Sequence, residues 1–212
     1  MARAKKTPRT NAEITAETRE KLIAAGRAVF AAQGFRNAGG EEVVAKAGVT
    51  RGALYYQFGG MEGLFAATAE TVAVELARGL YDKTMAALPA HAQGDHSVEE
   101  LEIGAELLLR AFAGGDAADL LLREAPVVLG HQGWQELMTK SGLRGLLDHA
   151  LGHWIEAGLL SPKQKAATAD VIFGALMQAG IAIAAADNRA AALALYRDIV
   201  RRMIRALRNA KD

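Results

Sequence analysis

The stretch AGVTRGALYYQF, residues Ala47 to Phe58, decides the fold of this chain. Leu54 and Phe58 stand four positions apart, so a helix places both apolar side chains on one face. Thr50 is a good N-cap residue, which predicts a short helix that begins at Arg51. The opposite face carries polar and phenolic side chains: Arg51, Tyr55, Tyr56 and Gln57. One face of the segment is therefore expected to be buried, and the other is expected to be exposed to a binding partner.

A second short helix precedes this segment and joins it through the residues AGVT. It is predicted over Glu41–Ala47 with Val44 and Ala47 pointing inward, and it ends at Gly48, which tolerates the positive φ of a tight turn. Two short helices joined in this way are typical of the helix-turn-helix. Val49 is then the apolar residue beneath the turn.

Helical patterns also fill the rest of the chain. A first helix is predicted over Thr15–Gln33, with Thr15 as its N-cap and Gly34 as its end. A long helix follows from Met61 to about Leu88, and the polar segment Pro89–Ser97 is predicted to be a loop. The later helices are predicted over Val98–Ala113, Asp116–Leu129, Trp134–Ala157, Lys163–Ala186 and Asn188–Asn209. Because no strand-like alternation persists, the fold class is all-α.

The composition is that of a globular protein in a reducing compartment. Of 212 residues, 51% are hydrophobic and 23% charged, and there is no cysteine for a disulfide or a thiolate metal site. The longest apolar run, Val171 to Ala186, is shorter than the about 20 residues of a membrane-spanning helix. We therefore expect a buried helix there, no membrane association and a cytoplasmic location.

The charges are distributed unevenly. Residues 1–60 carry ten Lys and Arg against five Asp and Glu, whereas residues 61–196 carry nine against seventeen. A basic N-terminal section followed by an acidic section suggests that the N-terminal section binds a polyanion. Four of its positive charges, Arg3, Lys5, Lys6 and Arg9, lie in a predicted flexible arm, which has a solubilising tail as its alternative interpretation.

The sequence from TREKLIAAGRAVFAAQGF to EEVVAKAGVTRGALYYQFGGMEGLF, about Thr15 to Phe65, closely resembles the DNA-binding domain of the tetracycline-repressor (TetR) family of transcriptional regulators. The resemblance implies a homodimer that binds an operator with two helix-turn-helix heads and releases it when a small molecule binds. It divides the chain into a flexible basic arm (1–14), a helix-turn-helix DNA-binding domain (15–60) and a larger helical effector-binding and dimerisation domain (61–212).

Carried over by position, the resemblance places Arg51, Gly52 and Ala53 nearest the base edges of double-stranded operator DNA. An arginine there can donate twice to guanine, and phenol hydroxyls can bind phosphates. The alternative is that one phenol packs in the core. The full set of candidate DNA-binding residues is Arg9, Gly40, Thr50, Arg51, Gly52, Ala53, Tyr55, Tyr56 and Gln57.

Two positions depart from the usual pattern of the family. Gly39-Gly40 stands where a serine or threonine usually caps the second helix, so a hydroxyl that could contact phosphate is missing. Met61 stands where the family usually has lysine at the start of the fourth helix. A phosphate contact is lost there, and operator affinity or half-site geometry is expected to be unusual.

The effector site is predicted among the helices between Met61 and Ala186, where polar residues interrupt apolar patterns. The candidate ligand-binding residues are Arg123, His131, Trp134, His153 and Gln178, with Glu124 and His149 also considered. Solvated charges and core filling are the alternatives. His149 and His153 share a helix face and could bind a metal with Glu156 or Asp148, but without cysteines or a clear third ligand no metal and no cofactor are predicted.

The last two helices, residues 163–186 and 188–209, are predicted to form the homodimer interface. The first is nearly all apolar and rich in small residues, and the second carries an apolar stripe of Leu193, Tyr196, Val200, Met203 and Leu207. One chain offers too few partners to cover both, whereas two copies make a four-helix bundle. An ordinary monomer core is the alternative.

The leading interpretation is a ligand-responsive transcriptional regulator that acts as a repressor. No nucleophile–base pair, phosphate loop, dinucleotide fingerprint or pair of catalytic acids is found, so no enzymatic activity is predicted. Two alternatives stay open. One is a DNA-binding dimer without a small-molecule effector, which a filled C-terminal core would favour, and the other is a helical small-molecule-binding protein whose head no longer functions.

Overall fold

The computed structural model describes residues 10–88 and 97–208. Every regular element within them is helical, which confirms the predicted all-α class. The α-helices are α1 (Asn11–Gln33), α2 (Gly40–Ala47), α3 (Arg51–Phe58), α4 (Met61–Ala87), α5 (Ser97–Ala113), α6 (Ala125–Val128), α7 (Gly130–Lys140), α8 (Leu143–Glu156), α9 (Lys165–Ala185) and α10 (Arg189–Arg208). A 3₁₀ turn (Phe35–Asn37) and a π-helical segment (Asp119–Glu124) complete them.

Some predicted features fall outside these residues. They include the arm with Arg3, Lys5, Lys6 and Arg9, all of the loop at Pro89–Ser97 except Ser97, and the last residue of the helix predicted to end at Asn209. Within the described ranges the chain separates into two compact units, which divide after Thr68. Helix α4 contributes residues to each unit.

Helix α1 begins earlier than predicted. The structure places its N-cap at Thr10, whose hydroxyl accepts a hydrogen bond from the Glu13 amide at 3.2 Å, while Glu13 accepts one from the Thr10 amide at 2.7 Å. This reciprocal capping box satisfies two backbone donors. The predicted start at Thr15 is therefore wrong, and residues 11–14 of the predicted flexible arm are helical. The backbone and side-chain hydrogen bonds from Thr10 also lower the pKa of Glu13 below its usual value.

The core of the first unit is built from α1, α2, which buries Val43 and Val44, α3 and the start of α4. Leu22 and Leu54 are buried there, and the ring of Phe65 lies 5.2 Å from that of Phe30 in an edge-to-face contact. Gly26 permits a close approach, because an added Cβ would lie 3.3 Å from the Leu64 side chain. Leu54 is the side chain of α3 that this core buries, on the face that the sequence predicts.

In the second unit, α5 packs against α8, α9 and α10. Trp154 of α8 is fully buried, and its Nε1 donates to the Ser97 carbonyl at 3.0 Å, which ties α8 to the start of α5. On another side of α5, Glu102 binds Arg205 of α10 at 2.6 Å. Polar contacts therefore join α5 to α8 on one side and to α10 on another.

The helix predicted over Trp134–Ala157 is two helices in the structure. Gly142 has φ +87°, in the left-handed region, and separates α7 from α8. A single helix was the wrong prediction because apolar spacing continues across the break, whereas the backbone at Gly142 turns there. The segment predicted over Asp116–Leu129 likewise includes the π-helical turn before α6.

Helix α9 is long and apolar enough to cross a membrane by length and composition alone, with a mean hydropathy of 1.6. In the fold it packs against α5, α8 and α10, with Ile172 and Ile183 completely buried. A single such helix is weak support for a membrane span, since core helices of globular proteins share this composition.

Candidate nucleic-acid interface and ligand cavity

Short-range hydrogen bonds set the position of α3. Thr50 caps the helix by accepting from the Ala53 amide at 3.3 Å, as predicted. Gly48 ends α2 with φ +65°, and the Val49 amide donates to the Val44 carbonyl at 3.1 Å within the turn. The two helices therefore adopt the predicted helix-turn-helix geometry, with positive φ at the glycine.

One face of α3 is buried and the other is open to solvent. Leu54 is 1% exposed, whereas Tyr56 is 82% exposed and Tyr55 about half exposed. The Arg51 side chain is 65% exposed and lies 3.1 Å from the Glu41 carboxylate of α2. Its guanidinium also lies 5.6 Å from the ring centroid of Tyr55, so the three side chains form one charged and aromatic group. Tyr55 first and Glu41 second raise the pKa of Arg51, which stays charged.

Gln57 differs from its neighbours on the predicted DNA-facing side. Its Nε2 donates to the Thr15 carbonyl of α1 at 3.1 Å, and the residue is half-buried. The helix end is held further by Arg19, whose guanidinium lies 4.9 Å from the ring centroid of Phe58. Phe58 is half-buried, so the predicted burial alongside Leu54 is only partial. The amide of Gln57 serves the α1–α3 contact in this structure.

Glycines set the close approaches around α3. Gly39 caps α2 without a side-chain hydrogen bond, and a Cβ added at Gly40 would lie 3.7 Å from the Met61 sulfur. Met61, at the usual lysine position of the family, thus lies beside the start of α2. A Cβ added at Gly63 would lie 1.9 Å from the Phe58 carbonyl oxygen, so only glycine lets α4 pass the end of α3 this closely.

The second unit contains a cavity bounded by α4, α5, α8 and α9. It encloses about 620 Å³ between atoms, a part of which is continuous with solvent. Its lining is mostly leucine, alanine and phenylalanine, and four polar residues interrupt it: Tyr81, Thr84, Glu100 and His149. A mostly apolar lining with a few polar groups suits a small organic ligand whose orientation those groups fix.

Four of the five predicted ligand-binding residues lie away from this cavity. Arg123 pairs with Asp119 at 2.7 Å on the surface, and Trp134 donates from Nε1 to the Leu121 carbonyl at 2.7 Å. The remaining two are His131, which is exposed and 6.4 Å from the Trp134 ring, and Gln178, which is exposed on α9.

The fifth predicted residue, His153, adjoins the cavity through Glu100. Its Nδ1 lies 2.6 Å from Glu100 Oε2, and its ring centroid lies 4.5 Å from that of His149. Sequence reasoning missed Glu100, which is 53 residues from His153. Its only local signal is a place in the acidic first turn of α5, which helix-dipole considerations explain without any site.

The fold and the exposed recognition-type helix define a helix-turn-helix regulator, and comparisons with known proteins identify its family. The model described as "Tetracyclin repressor-like, C-terminal domain" matches residues 98–207, and that described as "Bacterial regulatory proteins, tetR family" matches residues 22–68. The chain belongs to the TetR family of bacterial transcriptional regulators, a family of regulators and not of enzymes.

Individual relatives agree. The HTH-type transcriptional regulator SrpR of Pseudomonas putida is 46% identical over 52 residues, which are 24% of this chain and 24% of that protein. A TetR-family regulator from Pectobacterium atrosepticum is 29% identical with a TM-score of 0.72, covering 94% of this chain and 97% of the other. The regulator FadR of Bacillus subtilis, in complex with stearoyl-CoA, shares the fold at 18% identity with a TM-score of 0.70, over 87% of this chain and 96% of FadR.

Proposed function

We propose that this regulator is a repressor that binds operator DNA as a homodimer and leaves it when a small molecule enters the cavity. The observation that carries the proposal is the open face of α3, on which Arg51, Tyr55 and Tyr56 are exposed. Aromatic side chains exposed together on a capped helix leave apolar surface in contact with water. Such surface often marks an interaction site. DNA is the partner that this chemistry and the family indicate.

On DNA, Arg51 reads a base and the tyrosines set the register. A guanidinium at the first position of a recognition helix can donate to guanine O6 and N7, and phenol hydroxyls can donate to phosphates. Gly52 and Ala53 leave room for the backbone to approach the bases, and the Gly40 end of α2 offers amides to a phosphate. The proposed interface also includes Arg9 and Gln57. On DNA binding, Gln57 would exchange its hydrogen bond with the Thr15 carbonyl for one with the DNA.

The effector is a small, largely apolar molecule. The cavity walls are mostly aliphatic, and the nearly buried Glu100 carboxylate offers one strong acceptor to a donor or a cationic group on the ligand. The stearoyl-CoA complex of FadR, which shares this fold, supports a ligand that has an apolar part. The presence of a cavity also favours an effector over the DNA-binding dimer that lacks one.

The homodimer forms through α9 and α10. Exposed positions on α9 recur at helical spacing and include apolar, small and polar residues: Val171, Gly174, Gln178, Ile181 and Ala185. On α10 the exposed large apolar residues are Leu195 and Ile199, whereas Val200, a member of the predicted stripe, is buried within its own chain. Pairing two copies covers these positions and lets small residues bring the helices close. A regulator of this kind acts in the cytoplasm.

The proposal is tested by selecting duplexes from a random library with the full-length protein, then sequencing and measuring affinity. We expect an enriched site with two-fold symmetry, bound by one dimer. A screen for ligands follows tryptophan fluorescence, since both tryptophans of the chain, Trp134 and Trp154, lie in the second unit. A ligand that shifts the fluorescence should release the selected duplex. Absence of any enriched sequence would overturn the proposal.

A further inference from the structure

Three potential metal ligands converge at the wall of the cavity. Glu100 comes from α5 and His149 and His153 from α8, and one ligand atom from each lies within 4.8 Å of the other two. The two histidines stand four positions apart, so α8 projects both imidazoles from one face. The carboxylate lies across from them, 2.6 Å from His153 Nδ1.

The frame around these side chains is rigid. Trp154 follows His153 directly, is fully buried and binds the Ser97 carbonyl at 3.0 Å, one helical turn before Glu100. This bond fixes α8 against the first turn of α5, so both sets of ligands start from held backbone. A site for a metal needs such positioning, because its ligand geometry tolerates only small errors.

Burial gives the site a driving force. The Glu100 side chain is only 9% exposed, and a nearly buried carboxylate requires a cation or several donors. His153 supplies one donor when its Nδ1 carries a hydrogen. No hydrogen bond or ion pair involves His149 within residues 10–88 and 97–208, where its ring contacts that of His153 edge to face. A simple ion pair accounts for Glu100 and His153 and leaves His149 without a role.

We propose that Glu100, His149 and His153 bind a divalent transition-metal ion of the zinc class, which links α5 to α8 at the cavity wall. Imidazole nitrogens and a carboxylate oxygen are the ligands that such ions accept. Two donors on one tetrahedral ion stand about 3.4 Å apart at normal bond lengths. At present Glu100 Oε2 and His153 Nδ1 lie 2.6 Å apart, and one ligand atom from each of the three residues lies within 4.8 Å of the others. Binding an ion therefore requires the side chains to adjust around it.

Three protein ligands leave one position of a tetrahedral ion open. Since Glu100 and His149 both line the cavity, this position faces it and takes a water molecule or a small donor. The ion neutralises the buried carboxylate and adds a cross-link between two helices that already meet through the Trp154–Ser97 bond and the Glu100–His153 contact. The proposal concerns the second unit alone and does not depend on DNA binding.

The test uses the full-length chain, freed of metal with a chelator and titrated with Co²⁺ and Zn²⁺. Co²⁺ reports coordination through its d–d absorption, and Zn²⁺ affinity is measured by competition with a chromophoric chelator. We expect one ion per chain and a higher Tm in excess Zn²⁺, because an ion that binds only the folded state stabilises it.

The decisive variant is His149→Ala, which removes an exposed side chain and so preserves the fold. It should lower Zn²⁺ affinity by at least about 100-fold, because even outer-shell changes cost 10–100-fold. The matched control is His131→Ala, another exposed histidine, whose affinity should equal that of the original chain. Glu100→Gln should abolish the Co²⁺ spectrum as well. Unchanged affinity in His149→Ala, or no Co²⁺ coordination spectrum in the original chain, would overturn the proposal.

Discussion

The guanidinium of Arg51 lies 3.1 Å from the carboxylate of Glu41, which joins the first turn of α3 to the first turn of α2. Both side chains are mostly exposed, so solvent screens the pair and it contributes little to stability. Arg51 can therefore exchange Glu41 for a base edge at little cost.

The first prediction concerns the arginine of this pair. Arg51→Ala should weaken binding to the selected operator by about 1–3 kcal/mol and relax the preference at one base position. Fluorescence anisotropy with the operator and its single-base variants measures both effects. Arg123→Ala is the matched control, because Arg123 is also exposed and paired with an acid. Equal affinities and base preferences for the original chain and Arg51→Ala would remove Arg51 from sequence readout.

The second prediction concerns the acid of the pair and has the opposite sign. Glu41→Gln removes a negative charge beside the proposed phosphate contacts and releases Arg51, so operator affinity should rise by up to about 1 kcal/mol at low salt. Thermal stability should change little, since the side chain is exposed.

The control for this gain is Glu136→Gln, an exposed acid that pairs with Lys140 at 3.1 Å in the second unit. It should leave operator affinity unchanged. Weaker binding by Glu41→Gln would show that the acid positions Arg51 for DNA rather than competing with it.

Local signals were enough to predict the helix-turn-helix and its one buried face. The cap at Thr50, the turn at Gly48 and the spacing of Leu54 depend on residues close by in the chain. The sequence therefore shows them directly. The start of α1 was also readable from Thr10 and Glu13, a capping box that the prediction passed over.

The cavity was not predictable in the same way. Its polar members, among them Thr84, Glu100 and His149, come from α4, α5 and α8 and meet only through the packing of those helices. Trp134, one of the predicted ligand-binding residues, satisfies its donor on the Leu121 carbonyl, which the sequence does not reveal. Whether a polar side chain is free to bind a ligand depends on hydrogen-bond partners that are distant in the sequence.

The third prediction tests the close approach of α4 to α3. Gly63→Ala should destabilise the chain by at least about 2 kcal/mol, because its Cβ would lie 1.9 Å from the Phe58 carbonyl oxygen, a backbone atom. Gly79→Ala in the same helix has open space and should stabilise by up to about 1 kcal/mol through helix propensity. Urea unfolding midpoints compare the two variants. A midpoint for Gly63→Ala at or above that of the original chain would contradict the contact.

The fourth prediction concerns acid stability and Glu106 of α5. Its hydrogen bond with Arg110, 2.7 Å, is the main cause of a lowered pKa, which burial opposes and the charges of Arg110, Arg197 and Arg201 reinforce. A carboxylate with a lower pKa in the folded state stabilises fully above its unfolded pKa, about 4.3, and this contribution is lost as pH falls through the folded pKa.

Glu106→Gln should therefore lower stability by about 1 kcal/mol at pH 7 and make the loss of stability below about pH 4.5 less steep. Unfolding midpoints measured from pH 3 to 7 test this. Glu136→Gln is the control: Lys140 lowers the pKa of Glu136 too, but this side chain is exposed and solvent screens the pair. Parallel pH profiles for Glu106→Gln and the original chain would contradict the assignment.

The fifth prediction tests the proposed homodimer face on α9. Val171→Glu places a carboxylate on the exposed stripe, and two-fold symmetry brings each charge into the interface from both copies. Burying these charges without partners should raise the dimer dissociation constant by at least about 100-fold, as sedimentation velocity would show. Val127→Glu is the matched control, because Val127 on α6 is 73% exposed and Val171 60%. A Val171→Glu chain that stays dimeric at the same concentrations as the control would place the interface on another surface.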